Sequence, residues 1–286
     1  MPIPAPIPAP ALATPRRGLL VTAPLALDGG ARYLIDGATF TPEPCAAYDP
    51  IPWIVCGTPP TLDDEEPRPE PAVWLPFALR GVDVCSTLGG LDLAERARRA
   101  RSNLTATASW QAEREFSDAV ASSEGSATNP HLTDPAGWTT AATVTSGAED
   151  PAIALALLEQ GLADCLHGAR AMIHATPAVV TLWSAASLLT VEGTNLVTAN
   201  DNLVVSGSGY SGDSPAGAAA DAGTAWAYGT AVVSQLRGQI LPETDDAAAQ
   251  EVDHRRNEVV TWVTQAAMLL VSPCCKIAAQ VAILTP

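Results

Sequence analysis

The sequence is poor in lysine, in aromatic residues and in positive charge. Among its 15 basic residues only Lys276 is a lysine, and aromatic residues make up 5% of the 286 positions. Acidic residues number 31, so the formal net charge is −16. A surface this negative repels phosphate groups, which excludes nucleic-acid binding through a broad basic surface and leaves only local exceptions open.

Signatures of catalytic and metal sites are also missing. No C-x-x-C occurs, and the histidines never show H-x-x-x-H spacing; they are His131, His167, His174 and His254. G-x-S-x-G, P-loop and kinase signatures are absent as well. The acidic run 63–66 is flanked by prolines, which favours a solvated loop over a metal or acid–base pair. We therefore expect a protein that is not an enzyme, with no catalytic residues, no metal and no cofactor.

One glycine-rich stretch needs a separate interpretation. Residues 207–212, GSGYSG, have G-x-G-x-x-G spacing after a β-like run. A dinucleotide site would need a helix opening at the last glycine and an acidic residue about 20 positions later. Here Pro215, Gly217 and Gly223 interrupt any helix, and position 226 is a tryptophan. The stretch is interpreted as a flexible loop between strands.

The cysteines and the N-terminus bear on the cellular compartment. Six cysteines are scattered through the chain rather than densely spaced, so buried free thiols are expected, including the adjacent Cys274 and Cys275. The proline-rich start has neither a charged segment nor an apolar run that would make a signal peptide or membrane span. We expect a soluble, non-secreted product that does not bind membranes.

The first 70 residues contain too little regular pattern for a core of their own. Proline alternates with small apolar residues at the start, which favours extended polyproline structure and predicts an N-terminal arm over 1–27. The runs GLLVTAPLAL, ARYLIDGATF and PWIVCG are β-like but interrupted by proline. Residues 28–70 are therefore predicted to form an extended loop that packs on another surface.

A long helix is predicted over 91–122, which contains neither glycine nor proline. Asp92 and Glu95 form a capping-box start, and alanine, leucine and phenylalanine recur at helical spacing from Leu93 to Phe116. Four arginines crowd the first half, at Arg96, Arg98, Arg99 and Arg101. A solvated or inter-subunit salt-bridging face is the interpretation favoured over a nucleic-acid contact.

The remainder predicts an α+β fold, which opens with a loop over residues 125–149. Asp150-Pro151 and Thr176-Pro177 each combine a cap with a proline at the first helical position, and each predicts a helix start. ARAMIHA reads as a short strand between these helices, and NLVTANDNLVV as two strands joined at residues 200–202. Strands rich in valine, isoleucine and leucine follow to the C-terminus and are expected to complete a sheet.

This order of elements resembles the major capsid proteins of tailed phages and the related encapsulins, which share the Hong Kong phage 97-type capsid fold. Residues 168–212 resemble a segment in which a hydrophobic strand precedes a capped helix, then a strand and a glycine-rich loop. Met172-Ile173-His174, the cap at Thr176-Pro177 and NLVVSGSGYSG occupy these places. Residues 255–283 are similar to the closing segment of the family, with Pro273-Cys274-Cys275 in place of the more common aromatic.

The resemblance implies a domain organisation. It implies an N-terminal arm (1–27), an extended loop lying over a neighbour (28–70) and a peripheral domain with a spine helix at 91–122 (71–150). An axial domain at the capsomer centre (151–240) and C-terminal strands returning to the sheet (241–286) complete it. The glycines of 207–212 would then form a loop of the axial domain.

The resemblance also implies a function. The chain would be the major capsid protein of a tailed bacteriophage, made in the host cytoplasm and assembled from hexamers and pentamers into a virion shell that encloses DNA without sequence-specific binding. Portal, scaffold or decoration proteins are possible partners. Another virion component, such as a minor head, neck or tail protein, and an encapsulin-type shell are the alternatives. Because Lys276 is outside the extended loop, no lysine-to-asparagine crosslink between subunits is expected.

Overall fold

A computed structural model describes residues 16–26, 34, 37–40, 72–86, 92–120, 129–134, 136–242, 249–253, 255 and 258–283. The helices in these residues are α1 (Leu19–Thr22), α2 (Leu93–Asp118), α3 (Pro151–Leu166) and α4 (Pro177–Ala185). The strands are β1 (Ala38–Phe40), β2 (Ala72–Trp74), β3 (Phe77–Ser86), β4 (Thr140–Thr143), β5 (Ala171–Ala175), β6 (Leu189–Glu192), β7 (Asn195–Thr198), β8 (Leu203–Ser206), β9 (Thr224–Ala231), β10 (Ser234–Leu241), β11 (Ala249–Asp253), β12 (Glu258–Leu270) and β13 (Cys275–Ala282). The predicted mixture of helix and sheet is confirmed.

A seven-stranded sheet of mixed direction carries helices on its surface. Its strand order is β4-β13-β9-β5-β8-β7-β6, with parallel pairing at β4/β13 and β5/β8 and antiparallel pairing elsewhere. Successive residues of β5 belong to different hydrophobic clusters, Met172 to one and Ile173 to the other. Since side chains of a strand alternate between faces, both faces of this sheet are buried.

The cluster that contains Ile173 lies beneath α3 and α4. Two glycines let α3 approach the sheet closely: a side chain on Gly229 of β9 would overlap Leu162 of α3, and one on Gly161 of α3 would meet Ile277 of β13. Trp183 of α4 is fully buried in the same cluster, and its indole N–H donates to the Pro151 carbonyl. These contacts fix both helices over the middle of the sheet.

A second sheet is organised around β12, the longest strand. One edge of β12 pairs antiparallel with β3 along ten positions, and the other edge pairs with β10 and β11 in succession. The long helix α2 packs on this sheet at Gly81 of β3, where a side chain would overlap the carbonyl of Ala100 and the side chain of Leu104. A short pair, β1 with β2, makes a third sheet in the described residues.

Side-chain amides of α2 cover the outer edge of β3. Gln111 accepts from the backbone N–H of Arg80 and donates to its carbonyl, both at 2.8 Å, while Asn103 donates to the carbonyl of Val82 at 2.8 Å. Within the described residues β3 pairs only with β12, and these bonds satisfy backbone groups on its other edge that could otherwise pair with another chain.

The long helix begins where the sequence predicts and ends earlier. Asp92 accepts from the backbone N–H of Glu95 at 2.8 Å, which confirms the cap. The helix stops at Asp118 rather than at 122, because Ala119 takes a left-handed conformation. Arg98 and Arg99 pair with Glu95 of the same helix. Arg96 is buried, so the interpretation of a solvated or inter-subunit salt-bridging face does not hold for Arg96.

Two local predictions are corrected by the structure. The run GLLVT, expected to be β-like, contains the helical turn α1 because its leucines pack against α2 rather than in a sheet. Residues 140–143, expected to be loop, form β4, whose parallel register with β13 is long-range and leaves no alternating pattern in TAAT.

The other helix starts and the strands around residues 200–202 are confirmed. Asp150 caps α3 by accepting from the Ala152 N–H at 2.9 Å, and Pro177 is the first residue of α4. The domain division of the sequence stays a prediction, although five strand pairings run across its boundaries: β1 with β2, β3 with β12, β4 with β13, β9 with β13 and β10 with β12. Most of the predicted loop 28–70, including the acidic run 63–66, and His254 lie outside the described residues.

The expectation of free thiols is wrong for Cys165, Cys274 and Cys275. Cys165, near the end of α3, and Cys275, the first residue of β13, are joined by a disulfide with their Cα atoms 6.0 Å apart. Cys274 is disulfide-bonded too. The sequence could not reveal the pairing of Cys165 with Cys275 because it depends on how α3 crosses the sheet.

Candidate functional site

A buried carboxylate joins three segments that are far apart in sequence. Glu113 of α2 is 1% exposed. Its Oε1 accepts from the backbone N–H of Leu19 at 2.9 Å and from the Ser109 hydroxyl at 3.0 Å, and its Oε2 accepts from the backbone N–H of Gly209 at 2.9 Å. Burial raises the pKa of Glu113, while these hydrogen bonds act in the opposite direction.

The glycine-rich stretch is therefore packed against the long helix and is not a free loop. A side chain at Gly209 would overlap the carbonyl of Trp110, and one at Gly207 would meet Tyr210 and Glu113. Gly212 has a φ of +72°, a conformation that favours glycine. The glycines serve close packing at this junction, which explains their spacing without a nucleotide.

A chain of buried polar side chains continues from this stretch into the seven-stranded sheet. His174 of β5 has Nδ1 2.9 Å from the Tyr210 hydroxyl and Nε2 3.0 Å from the Thr230 hydroxyl of β9. Burial lowers the pKa of His174 to about 3, so the ring is neutral at physiological pH. Burial also raises the pKa of Tyr210, with the charge of Glu113 adding to the effect. Both ring nitrogens of His174 contact hydroxyl groups of the same chain, an arrangement that supports packing of the core.

Residues 16–26, the end of the predicted N-terminal arm, pack on their own chain. Gln235 of β10 donates its side-chain amide to the carbonyls of Leu20 and Ala23, and Leu25 forms a parallel bridge with it. The Ser206 N–H donates to the Arg17 carbonyl at 3.0 Å. This part of the arm is thus held by α2, β8 and β10 without a neighbouring subunit.

The only lysine of the sequence is buried in β13. Lys276 is 1% exposed, and its Nζ donates to the carbonyls of Leu132 and Asp134, each at 2.8 Å. The Trp138 ring centroid lies 5.9 Å from Nζ. Burial lowers the pKa of Lys276 to about 8. The side chain fastens the segment around residues 132–138 to the sheet.

Several polar features missed by sequence analysis belong to these junctions. Ser109 and Glu113 lie one helical turn apart beside the apolar stripe of α2, and a polar pair in such a stripe is the signal that could have identified them. Gln235 and Lys276 have no comparable local signal because their partners are more than 140 positions away.

The described residues present no arrangement typical of an active site. No group of three metal-ligating side chains occurs among them, and no helix there has the length and apolar content to cross a bilayer. A surface cavity of about 540 Å³ lies beside α3, and Glu159, on its wall, accepts from Asn200 and Asn202. Among the described histidines, His174 forms its ring contacts with Tyr210 and Thr230.

Apolar side chains are exposed at several edges of the described fold. Leu25 is 64% exposed, Val191 at the sheet edge β6 is 60% exposed, and Ile153 and Leu157 lie on the outer face of α3. Single exposed apolar residues are common, but those on strand edges are contacts that another chain can cover.

Comparison with known proteins gives a consistent structural likeness. No protein-family model and no curated protein matches this sequence. The structure matches the capsid of Ralstonia phage GP4 with a TM-score of 0.53 at 12% identity, covering 97% of this chain and 94% of that one. A chain of Mycobacterium phage Ogopogo matches with a TM-score of 0.53 at 11% identity, covering 98% and 97%. The chain has the Hong Kong phage 97-type capsid fold.

A third match supports the same fold. A chain of Gordonia phage Cozz matches with a TM-score of 0.50 at 12% identity, covering 98% of this chain and 91% of that one. The three matches each extend over nearly the full length of both chains, and the junctions at Glu113, His174 and Lys276 are internal contacts of this structure.

Proposed function

We propose that the protein is the major capsid protein of a tailed bacteriophage, a structural subunit that assembles with copies of itself into an icosahedral shell. The observation that carries the proposal is the mutual coverage with the Ralstonia phage GP4 capsid, 97% of this chain and 94% of that one. The likeness therefore extends over nearly the full length of both chains.

The chemistry of the interior supports a structural role over an enzymatic one. The carboxylate of Glu113 and the ring of His174 are saturated by hydrogen bonds from the chain itself. Preformed catalytic groups are instead expected in a concave site with access to substrate. Exposed apolar residues such as Leu25 and Val191 supply surface that assembly can bury.

The proposed function assigns a separate structural role to each segment of the chain. Residues 1–27 would be the N-terminal arm, 28–70 an extended loop on a neighbouring subunit, and 71–150 the peripheral domain. Residues 151–240 would surround the capsomer axis, and 241–286 would return to the sheets. Binding through extended segments orders them at an entropic cost, which many repeated contacts in a closed shell offset.

The partners follow from the same proposal. Copies of the chain would form hexamers and pentamers, and portal, scaffold or decoration proteins would bind the shell. The net charge of −16 suits an inner wall that encloses DNA without sequence-specific binding, because an acidic wall does not adhere to the phosphate backbone. Synthesis would take place in the bacterial cytoplasm and the final location would be the virion.

Expression of the chain alone tests the proposal. Size-exclusion chromatography followed by negative-stain electron microscopy should show closed shells, or pentamers and hexamers that convert to shells. A persistent monomer or a small open ring would contradict it and favour a minor head, neck or tail component. Shells that form beside a co-expressed neighbouring enzyme and enclose it would instead identify an encapsulin-type compartment.

A further inference from the structure

We propose that Cys165 and Cys275 form a thiol–disulfide exchange site for low-molecular-weight disulfides of the glutathione class, with Cys165 as the attacking thiol and Cys275 as the resolving thiol. The pair closes the C-terminal end of α3 onto β13 of the seven-stranded sheet. The two residues are 110 positions apart, and their disulfide is present in the structure.

Access distinguishes the two sulfurs. Cys165 is half-buried and lies on the wall of a surface cavity of about 430 Å³. Asp164 and His167 line the same cavity, together with residues of β4. Cys275 is 0% exposed and does not line the cavity. A small disulfide can therefore reach Cys165 directly but reaches Cys275 only through Cys165.

The chemical step balances with this order of attack. The Cys165 thiolate attacks one sulfur of oxidised glutathione, which forms a mixed disulfide and releases one glutathione thiolate. The Cys275 thiolate then attacks the Cys165 sulfur, which forms the internal disulfide and releases the second glutathione thiolate. Two protein thiols are oxidised, one external disulfide is reduced, and the two thiol protons pass to solvent or to the released thiolates.

The packing around the pair allows the thiol state as well as the disulfide state. Helix α3 is already held to the sheet by apolar contacts, with Gly161 against Ile277 and Leu162 against Gly229. A cysteine thiol packs as a small apolar side chain. The fold therefore does not depend on the bond, and closing it adds a constraint to a helix that is already in place.

The timing rests on the proposed function. A capsid subunit made in a reducing cytoplasm would carry both thiols during assembly, and the bond would form after release of the particle into an oxidising medium. In the reduced chain the Cys274 thiol competes with Cys275 for Cys165, because the two residues are adjacent and both are buried. In the structure Cys274 belongs to a disulfide of its own. The pairing of Cys165 with Cys275 in preference to Cys274 is part of the proposal.

The first test maps thiols in the full-length wild-type chain. Cells are lysed directly into denaturant containing N-ethylmaleimide, and peptides are analysed by mass spectrometry. We expect Cys165 and Cys275 to be alkylated. Native reduced protein treated with oxidised glutathione should then give the Cys165–Cys275 linked peptide. A bond already present in cells, no bond after oxidation, or a bond from Cys165 to Cys274 would overturn the proposal.

The second test assigns the order of attack. Cys275→Ala should accumulate a stable glutathione adduct on Cys165, whereas Cys165→Ala should leave Cys275 unmodified. In the wild-type chain, a time course should show the Cys165 adduct before the internal bond, which keeps the test valid if a variant folds poorly. An adduct that appears first on Cys275 refutes the assignment.

The effect of the Cys165–Cys275 bond on stability can be measured on the same samples. The oxidised wild-type chain should melt about 5–10 °C above the reduced one, because closing so long a loop constrains the unfolded chain. Cys165→Ala should lose this increase and keep only the difference that the bond of Cys274 contributes. These measurements do not require an assembled shell. A chain that fails to assemble would contradict the proposed function, whereas the thiol-exchange site would still be tested by the thiol mapping and the melting temperatures.

Discussion

Gly209 donates its backbone N–H to the carboxylate of Glu113, a residue 96 positions earlier, at 2.9 Å. The same carboxylate accepts from the backbone N–H of Leu19, which precedes Glu113 by 94 positions. One side chain of the long helix thereby fixes both the end of the N-terminal arm and the glycine-rich stretch. The position of the arm and the position of the stretch are thus coupled through a single buried group.

Replacing Glu113 with alanine should lower the free energy of unfolding by about 2–4 kcal/mol, because two buried backbone N–H groups lose their acceptor. Urea unfolding followed by tryptophan fluorescence measures the change. The control is Glu192→Ala, which removes an exposed carboxylate from β6 and should leave the unfolding midpoint nearly unchanged. Equal midpoints for Glu113→Ala and the wild-type chain would show that the junction contributes nothing to stability.

Adding a methyl group at Gly81 should separate the long helix from β3. A Cβ there would overlap the Ala100 carbonyl and Leu104, so Gly81→Ala should cost about 2 kcal/mol or more of unfolding free energy. Gly147→Ala is the matched control, since nothing lies within 4 Å of its Cβ position. That substitution should be neutral or stabilise by about 0.4–1 kcal/mol. Thermal melting of both variants decides the matter, and a neutral Gly81→Ala contradicts the close packing.

Local signals in the sequence predicted the elements whose causes are local. The helix α2 follows from a cap at Asp92 and from the absence of glycine and proline, and α3 follows from Asp150-Pro151. Capping bonds and helix propensity act within a few residues, so they can be read directly from the chain. The order of these elements also sufficed for the resemblance to the capsid fold.

Features that depend on distant partners were missed. The parallel pairing of β4 with β13, the disulfide of Cys165 with Cys275 and the burial of Lys276 each join residues more than 100 positions apart. Lysine is rarely buried, so a lone lysine in an apolar strand gives no indication of its partners. The glycine-rich stretch was expected to be flexible because the carboxylate that binds it lies on another element.

Amine-reactive labelling of the folded chain should leave Lys276 untouched. Its Nζ is occupied by the carbonyls of Leu132 and Asp134, and the side chain is almost fully buried. N-hydroxysuccinimide acetate followed by mass spectrometry should modify Lys276 only after denaturation in guanidinium. Rapid modification of Lys276 in the native protein would contradict its burial, and an intersubunit adduct on denaturing gels would contradict the expected absence of a lysine crosslink.

The stability of the protein should rise between pH 8 and pH 9.5 by an amount that depends on Lys276. Burial lowers the pKa of Lys276 from 10.5 to about 8, so in this range the unfolded chain binds more protons than the folded one. Stability then increases with pH, because protons favour the unfolded state. Urea unfolding at pH 7.5, 8.5 and 9.5 should show the rise in the wild-type chain and a smaller rise in Lys276→Met.

Two buried tyrosines set the highest pH at which that experiment reports on Lys276. Burial raises the pKa of Tyr210 and of Tyr228 above the ordinary value of 10, so above pH 10 the unfolded chain loses protons that the folded chain keeps. Stability would then fall with pH and hide the contribution of Lys276. Identical pH profiles for the wild-type chain and Lys276→Met below pH 9.5 would contradict the assignment.

A charge on the free edge of the seven-stranded sheet should block assembly without unfolding the subunit. Val191 is 60% exposed on β6, which within the described residues pairs only with β7. Val191→Asp removes no buried contact, so thermal stability should change by less than about 0.5 kcal/mol. If copies of the chain cover this edge, the buried aspartate would be desolvated without a partner, and shells should be lost or strongly reduced in electron micrographs.

The control for this variant is Thr190→Asp. Thr190 is also exposed on β6, and its side chain faces the opposite side of the sheet because side chains alternate along a strand. It adds the same charge to the same strand, so a general effect of negative charge on a chain that already carries −16 would reduce assembly equally in both variants. Loss of shells for Val191→Asp alone would locate a subunit contact at this face of the edge, whereas normal shells for both would place the contacts elsewhere.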